Sequence, residues 1–135
     1  MNELSAIKAQ LEILLDNVEE GIHIVDEKGI SIYYNQAASR IERLTPEEVI
    51  GRHVLEVFPS LTDADSTLIR ALKTGEETHD KQQTFTNYKG KKIVTVNTTL
   101  PIISGDRIIG AVEISKDVTN VKDMSERISD LQAIL

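Results

Sequence analysis

The side chains with chemistry to offer are few and scattered. His23, His53 and His79 lie far apart and do not fall at metal-ligand spacing. Asp63 and Asp65 bring two carboxylates together, but in a stretch that reads as a helix start, where capping is a commoner duty than acid–base work. The absence of Cys removes a thiol nucleophile, a Cys-based zinc site and a disulfide scaffold. Lys28-Gly29 and Gly105-Asp106 are turn signals rather than phosphate loops, and no Ser–His–Asp order is readable. These residues describe no enzyme. What remains is a polar row inside a strand pattern. In Ile93–Leu100, Thr95, Asn97 and Thr99 alternate with Val94, Val96 and Leu100. If the apolar set packs outward under the terminal helices, the polar set turns towards the middle of the fold. Buried there, its amide and hydroxyls need partners, which a small polar metabolite or water supplies. With the opposite parity they face solvent. Arg40 and Arg70 are the candidate charge partners for an amino acid or carboxylate.

The elements that must position this row begin with a hairpin. Gly21–Val25 and Ile30–Tyr34 are short β-branched and aromatic runs joined by Asp26, Glu27, Lys28 and Gly29. The first run puts His23 and Val25 on one face and Ile22 and Ile24 on the other. Asn35 opens a helix to Arg43, and Thr45-Pro46-Glu47-Glu48 opens another that Gly51 ends. A helical piece, His53–Phe58, is stopped by Pro59. Thr62–Lys73 is helical, with Asp63 or Asp65 as its cap and Gly75 as its stop. The period then changes from 3.6 to 2. Thr78–Thr86, Ile93–Leu100 and Arg107–Lys116 are strands, with Pro101 at a strand end. The order is α+β with an antiparallel sheet.

Both ends of the chain carry apolar seams at three- and four-residue spacing. Leu4, Ile7, Leu11, Leu14 and Val18 form one; Val121, Met124, Ile128, Leu131 and Leu135 form the other. Each seam can pack on its own domain or pair with a second copy, and the sequence leaves both open. Asp117 or Thr119 caps the last helix. Its ending in Ala133-Ile134-Leu135, without a stop signal, reads as the start of a linker to a further effector domain.

The 135 residues, 40% of them apolar, suit one domain with a real core. A net charge of −7 argues against a nucleic-acid surface and a polybasic membrane anchor. The opening MNELSAIKAQ is too polar for a signal peptide, and no apolar run reaches the ~20 residues of a membrane span. The expectation is a cytoplasmic protein with no direct nucleic-acid or membrane contact.

A series of short motifs then comes in a telling order. It runs Gly21-Ile22 with Asp26, Gly29 with Ile32, Asn35 and Ala37-Ala38, and Thr45 through Arg52. Tyr88 with Gly90-Lys91, Pro101-Ile102, Ile109-Gly110 and Asp117-Val118-Thr119 follow. Over about residues 18–120 the chain resembles a PAS sensory domain. Its flavour is similar to the N-terminal PAS of sigma-54-dependent activators of amino-acid (arginine-type) catabolism. The resemblance implies a PAS fold: a five-stranded antiparallel sheet of order 2-1-5-4-3, with the middle helices on one face and a cavity between. It divides the chain into an N-terminal helix (1–18), the PAS domain (19–119) and an output helix (120–135). By likeness to flavin-holding members, His23, Val25, Gln83, Phe85, Val112 and Ile114 join Thr95, Asn97 and Thr99 on the cavity side. No cofactor is expected. Gly51-Arg52-His53-Val54 stands where flavin photosensors have Gly-Arg-Asn-Cys, and residues 62–74 lack the His that haem-binding members carry there. Asp117 and Thr119 match the Asp-x-Thr at which PAS sheets hand over to an output helix. The expected function is a regulatory sensor of a small polar metabolite that dimerises through its terminal helices. The alternative is a ligand-free dimerisation module.

Overall fold

A computed structural model of the chain describes residues 2–58 and 65–134. The early hairpin, β1 (Gly21–Asp26) and β2 (Ser31–Tyr34), forms at the expected turn. The Asp26 carboxylate accepts the N–H groups of Lys28 and Ile30 at 2.9 and 3.1 Å, and Gly29 takes φ +84°. Before it comes α1 (Glu3–Asp16), and after it α2 (Gln36–Glu42), α3 (Pro46–Val49), α4 (Val54–Val57) and α5 (Thr67–Thr74). Three long strands follow, β3 (Thr78–Thr86), β4 (Lys92–Ser104) and β5 (Arg107–Asp117), and then α6 (Thr119–Ile134). All pairings are antiparallel, and the sheet order is β2-β1-β5-β4-β3, as the resemblance implied.

Asn35 is the hinge pin of the N-terminal half. Fully buried, it accepts the N–H groups of Ile22 and Ala38 and donates its amide to the carbonyls of Leu15 and Glu20. One side chain thus caps α2, holds β1 and ties down the end of α1. Thr45 and Glu48 make a reciprocal capping box at α3.

Two expectations need correction. Ser66, not Asp65, caps α5, which starts at Thr67, because the Ser66 hydroxyl accepts the Ile69 N–H. Asp63, Thr62 and Pro59 lie outside the described residues. Pro101 does not end a strand, since β4 continues to Ser104. The β3 partner stops at the Thr78–Thr99 pair. Beyond it β4 is a sheet edge, which tolerates a residue without an N–H.

The core lies between the sheet and the middle helices. Val25, Val54, Leu68, Ile69, Ala71 and Ala111 form one buried cluster, and Tyr34, Ala38, Leu44, Val49 and Val57 another; Phe58 packs against both. Gly110 lets β5 run close under β1, because a Cβ there would stand 2.5 Å from the Val25 carbonyl oxygen.

The two outer edges of the sheet are both obstructed. Along β2, Ser31 donates to the Arg52 carbonyl and accepts from Gly51, while Ile30 bridges to His53. Along β3, the ladder shifts between Thr78 and Lys81, and Asp80 sits at φ 51°.

Candidate functional site

The alternation Val94/Thr95/Val96/Asn97 sets β4 so that its polar row faces the helices. Thr95 and Asn97 line a cavity of about 520 Å³ between the sheet and the helices. His23 of β1, Gln83 and Phe85 of β3, and Glu113 and Ser115 of β5 share that wall. Ile41, Glu42, Val54, Phe58, Asp65 and Thr67 come from the helical layer, and Asn87 and Tyr88 from the β3–β4 turn. That turn is fastened over the helices. Tyr88 donates its hydroxyl to the Val57 carbonyl at 2.8 Å, and the Asn87 amide reaches the Ile41 carbonyl at 3.3 Å.

Burial decides the chemistry of the wall. His23 is pushed down to about 4, so its imidazole is neutral at pH 7. Its Nε2 shares a 2.7 Å hydrogen bond with the Ser31 hydroxyl, and Tyr34 packs edge-on to the ring. The Glu42 carboxyl is pushed up to about 8 by burial, with the Glu113 charge adding to the rise. Burial also raises Glu113, against hydrogen bonds from Thr67 and Ser115 and the field of Lys81. Thr67 donates to Glu113 at 3.3 Å and pairs with the Thr99 hydroxyl at 2.8 Å. The Asn97 amide donates to Gln83 Oε1 at 2.6 Å. Among the described residues, two polar atoms of the wall are buried with no hydrogen-bond partner: Thr95 Oγ1 and Asn97 Oδ1. Their residues are only 1% and 4% exposed.

Five residues of the expected set therefore meet at the cavity: His23, Gln83, Phe85, Thr95 and Asn97. Thr99 is fully buried just outside the lining, bonded to Thr67. Val25 belongs to the apolar core instead. Val112 and Ile114 lie on the opposite face of the sheet. The register sets Glu113 across from both His23 and Thr99, and residues directly opposite share a face. Arg40 is exposed on α2 and Arg70 pairs with Glu76 at 3.9 Å; neither lines the cavity. The sequence reading missed Glu42 and Glu113. The lone acid in the apolar run Ile108–Ser115 was the available signal for the second.

The histidines take unrelated posts. His53 Nδ1 accepts the Leu55 N–H at the start of α4, and exposed His79 pairs with Glu77 at 2.9 Å. Among the described residues, no three His, Asp or Glu side chains gather as a metal site.

At the exit from the sheet, the Asp117 carboxylate accepts both the N–H and the hydroxyl of Thr119, at 2.9 and 2.6 Å. Val118 donates its N–H to the Val94 carbonyl at 2.9 Å. Beyond this point α6 buries only Thr119. The seam residues of α1 and α6 are exposed: Leu4, Ile7, Leu11 and Leu14 on one, Val121, Ile128 and Leu131 on the other. No helix among the described residues is long and apolar enough to cross a membrane.

Comparison with known proteins agrees with this architecture. The sequence profile of a family described as PAS fold matches residues 15–123. The chain is 39% identical over 109 residues to the transcriptional activator RocR of Bacillus subtilis, covering 81% of this chain and 24% of that protein. It is 29% identical over 125 residues to the sensor protein CitS of Halalkalibacterium halodurans, covering 91% of this chain and 21% of that one. The chain thus spans about a quarter or less of the length of these relatives. Among solved structures, a PAS domain from Colwellia psychrerythraea superposes with a TM-score of 0.67 at 21% identity, over 84% of this chain and 98% of that one. The chain belongs to the PAS family, whose domains occur in regulators of signalling and transcription of this kind.

Proposed function

We propose that this domain is the sensory part of a bacterial signalling or transcription regulator, and that it binds a small polar metabolite in the cavity. The observation that supports this best is the pair of unpartnered acceptors, Thr95 Oγ1 and Asn97 Oδ1, on the wall of a 520 Å³ space. A buried polar atom without a hydrogen bond costs about 1–3 kcal/mol, which a ligand or water would offset. Binding against β4 and β5 would bias α6 through the Asp117–Thr119 junction, which ties that helix to Val94. Val54 in the lining offers no thiol, in keeping with a metabolite rather than a flavin adduct.

The exposed seams of α1 and α6 favour a second reading, a ligand-free module that works by dimerising. In either case the expected assembly is a homodimer through the terminal helices, in the cytoplasm. A thermal-shift screen with polar metabolites, combined with native mass spectrometry, tests the sensor. A saturable shift that Asn97→Val abolishes supports it. A complete absence of binders leaves the dimer module.

A further inference from the structure

The cavity is one-sided in its charge. Glu42 stands in the helical layer and Glu113 on the sheet, and the Glu113 charge adds to the rise of Glu42. Among the described residues, neither Lys nor Arg lines the space, and neither carboxylate has an ion-pair partner within 4 Å. The basic group nearest in effect is Lys81 of β3, exposed and outside the lining, which favours ionised Glu113 only weakly against burial. His23 is neutral. The unpartnered Asn97 Oδ1 can only accept a hydrogen bond, and Thr95 Oγ1 can accept one too. Phe58, Phe85 and Tyr88 add aromatic rings to the same walls. Buried carboxyls, free acceptors and ring faces all favour a positively charged N–H donor.

We propose that the ligand of this cavity is a small organic cation, an ammonium or guanidinium compound, held between Glu42 and Glu113 with Asn97 Oδ1 as a further acceptor. The inference rests on the sensory reading above and specifies its ligand class. The unliganded site keeps a proton on Glu42, because a second negative charge beside Glu113 without a cation is costly. An arriving cation removes that cost, Glu42 ionises against it, and its proton leaves to solvent. Affinity therefore rises with pH towards about 8, the value to which Glu42 is raised. The rise is up to about tenfold per pH unit for each proton released.

The test uses length-matched probes on the whole chain: butane-1,4-diammonium and butylguanidinium against butane-1,4-diol and butanedioate. Thermal shift and calorimetry at pH 6, 7 and 8 are expected to show saturable binding of the two cations only, tightening as pH rises. Glu113→Gln keeps an acceptor for Thr67 and is expected to weaken cation binding at least about tenfold. If that variant does not fold, Glu42→Gln and the pH dependence of the unaltered chain carry the test. Silent cations, or a diol or dianion binding as well as they do, overturn the proposal. The metabolite screen above reads separately whether the sensory reading falls with it, because a neutral or anionic hit there would spare it.

Discussion

The Thr119 hydroxyl oxygen accepts the backbone N–H of Val94 at 2.9 Å, joining the first buried residue of α6 to the start of β4. The contact spans 25 positions of sequence and lies one residue from the cavity-lining Thr95. Thr119→Val would leave that buried N–H unpaired at a cost of about 1–3 kcal/mol, whereas Thr119→Ser keeps the acceptor. Urea unfolding should rank the variants in that order, and the Val94 amide should exchange faster only in the Val variant. Equal exchange in both would show that the hydroxyl does not hold the junction.

Asn35 satisfies four partners at once. Asn35→Ala is expected to cost about 2–4 kcal/mol, near the upper end for a single substitution. Asn35→Asp keeps the two acceptor bonds and turns an oxygen towards the carbonyls of Leu15 and Glu20. Circular dichroism should show α1 losing order at lower denaturant than the sheet in the Asp variant. Coincident melting of both would place α1 outside the reach of this residue.

The pH dependence follows from groups that act in opposite senses: burial raises Glu42 and Glu113 and lowers His23. The folded Glu42 carboxyl stands at about 8 against an ordinary 4.5, so the native state holds a proton that the unfolded chain has lost. Stability from this group falls as pH rises from about 4.5 to about 8. Folded His23 stands at about 4 against an ordinary 6.5, so its contribution is lost as pH falls through that window. The two slopes oppose each other at acid pH, and Glu42 dominates the pair between 6.5 and 8. Melting temperature should therefore decline over that alkaline interval, and Glu42→Gln should flatten the decline. An unchanged slope in that variant would show that Glu42 ionises freely in the folded state.

Gly110→Ala brings a methyl group to 2.5 Å from the Val25 carbonyl oxygen, a backbone atom that cannot swing aside. About 1–3 kcal/mol of destabilisation is expected from the forced separation of β1 and β5. Chemical denaturation of this one variant checks it, and a loss below about 0.5 kcal/mol, the size of a neutral surface change, would contradict the packing described.

Leu11→Asp with Leu131→Asp places charge in both exposed seams, where the residues are 52% and 61% exposed. Sedimentation should show a lighter species than the unaltered chain at the same concentration. If the double variant sediments as the unaltered chain does, the seams are not where copies meet.

How far the sequence foretold the site varied strand by strand, for a physical reason. In β4, Val94, Val96 and Leu100 share one parity and Thr95, Asn97 and Thr99 the other, so the polar row is readable, although Ile93 and Thr98 break the separation and the sequence leaves open which row turns inward. In β5 the run Ile108–Ser115 is apolar on both faces, and its inner side is fixed only by pairing with His23 and Asn97. That cross-strand information is not local, and the likeness to flavin-holding members points to Val112 and Ile114, whereas the register turns Glu113 and Ser115 inward. Arg40 and Arg70 fail for a related reason. Charge alone recommends them, while helix phase turns Ala37, Ala38 and Ile41, and likewise Leu68, Ile69 and Ala71, to the inside. Motif order carried the fold because hairpin, caps and strand periods are each written in neighbouring residues.

The obstructed borders of the sheet also limit how this protein can multiply. Backbone from 51–53 already occupies the outer rim of β2, and at β3 the left-handed Asp80 and protruding Lys81 spoil the straight template that an incoming strand would need. Fibre-like stacking, strand exchange and ladder growth are thereby discouraged at both flanks.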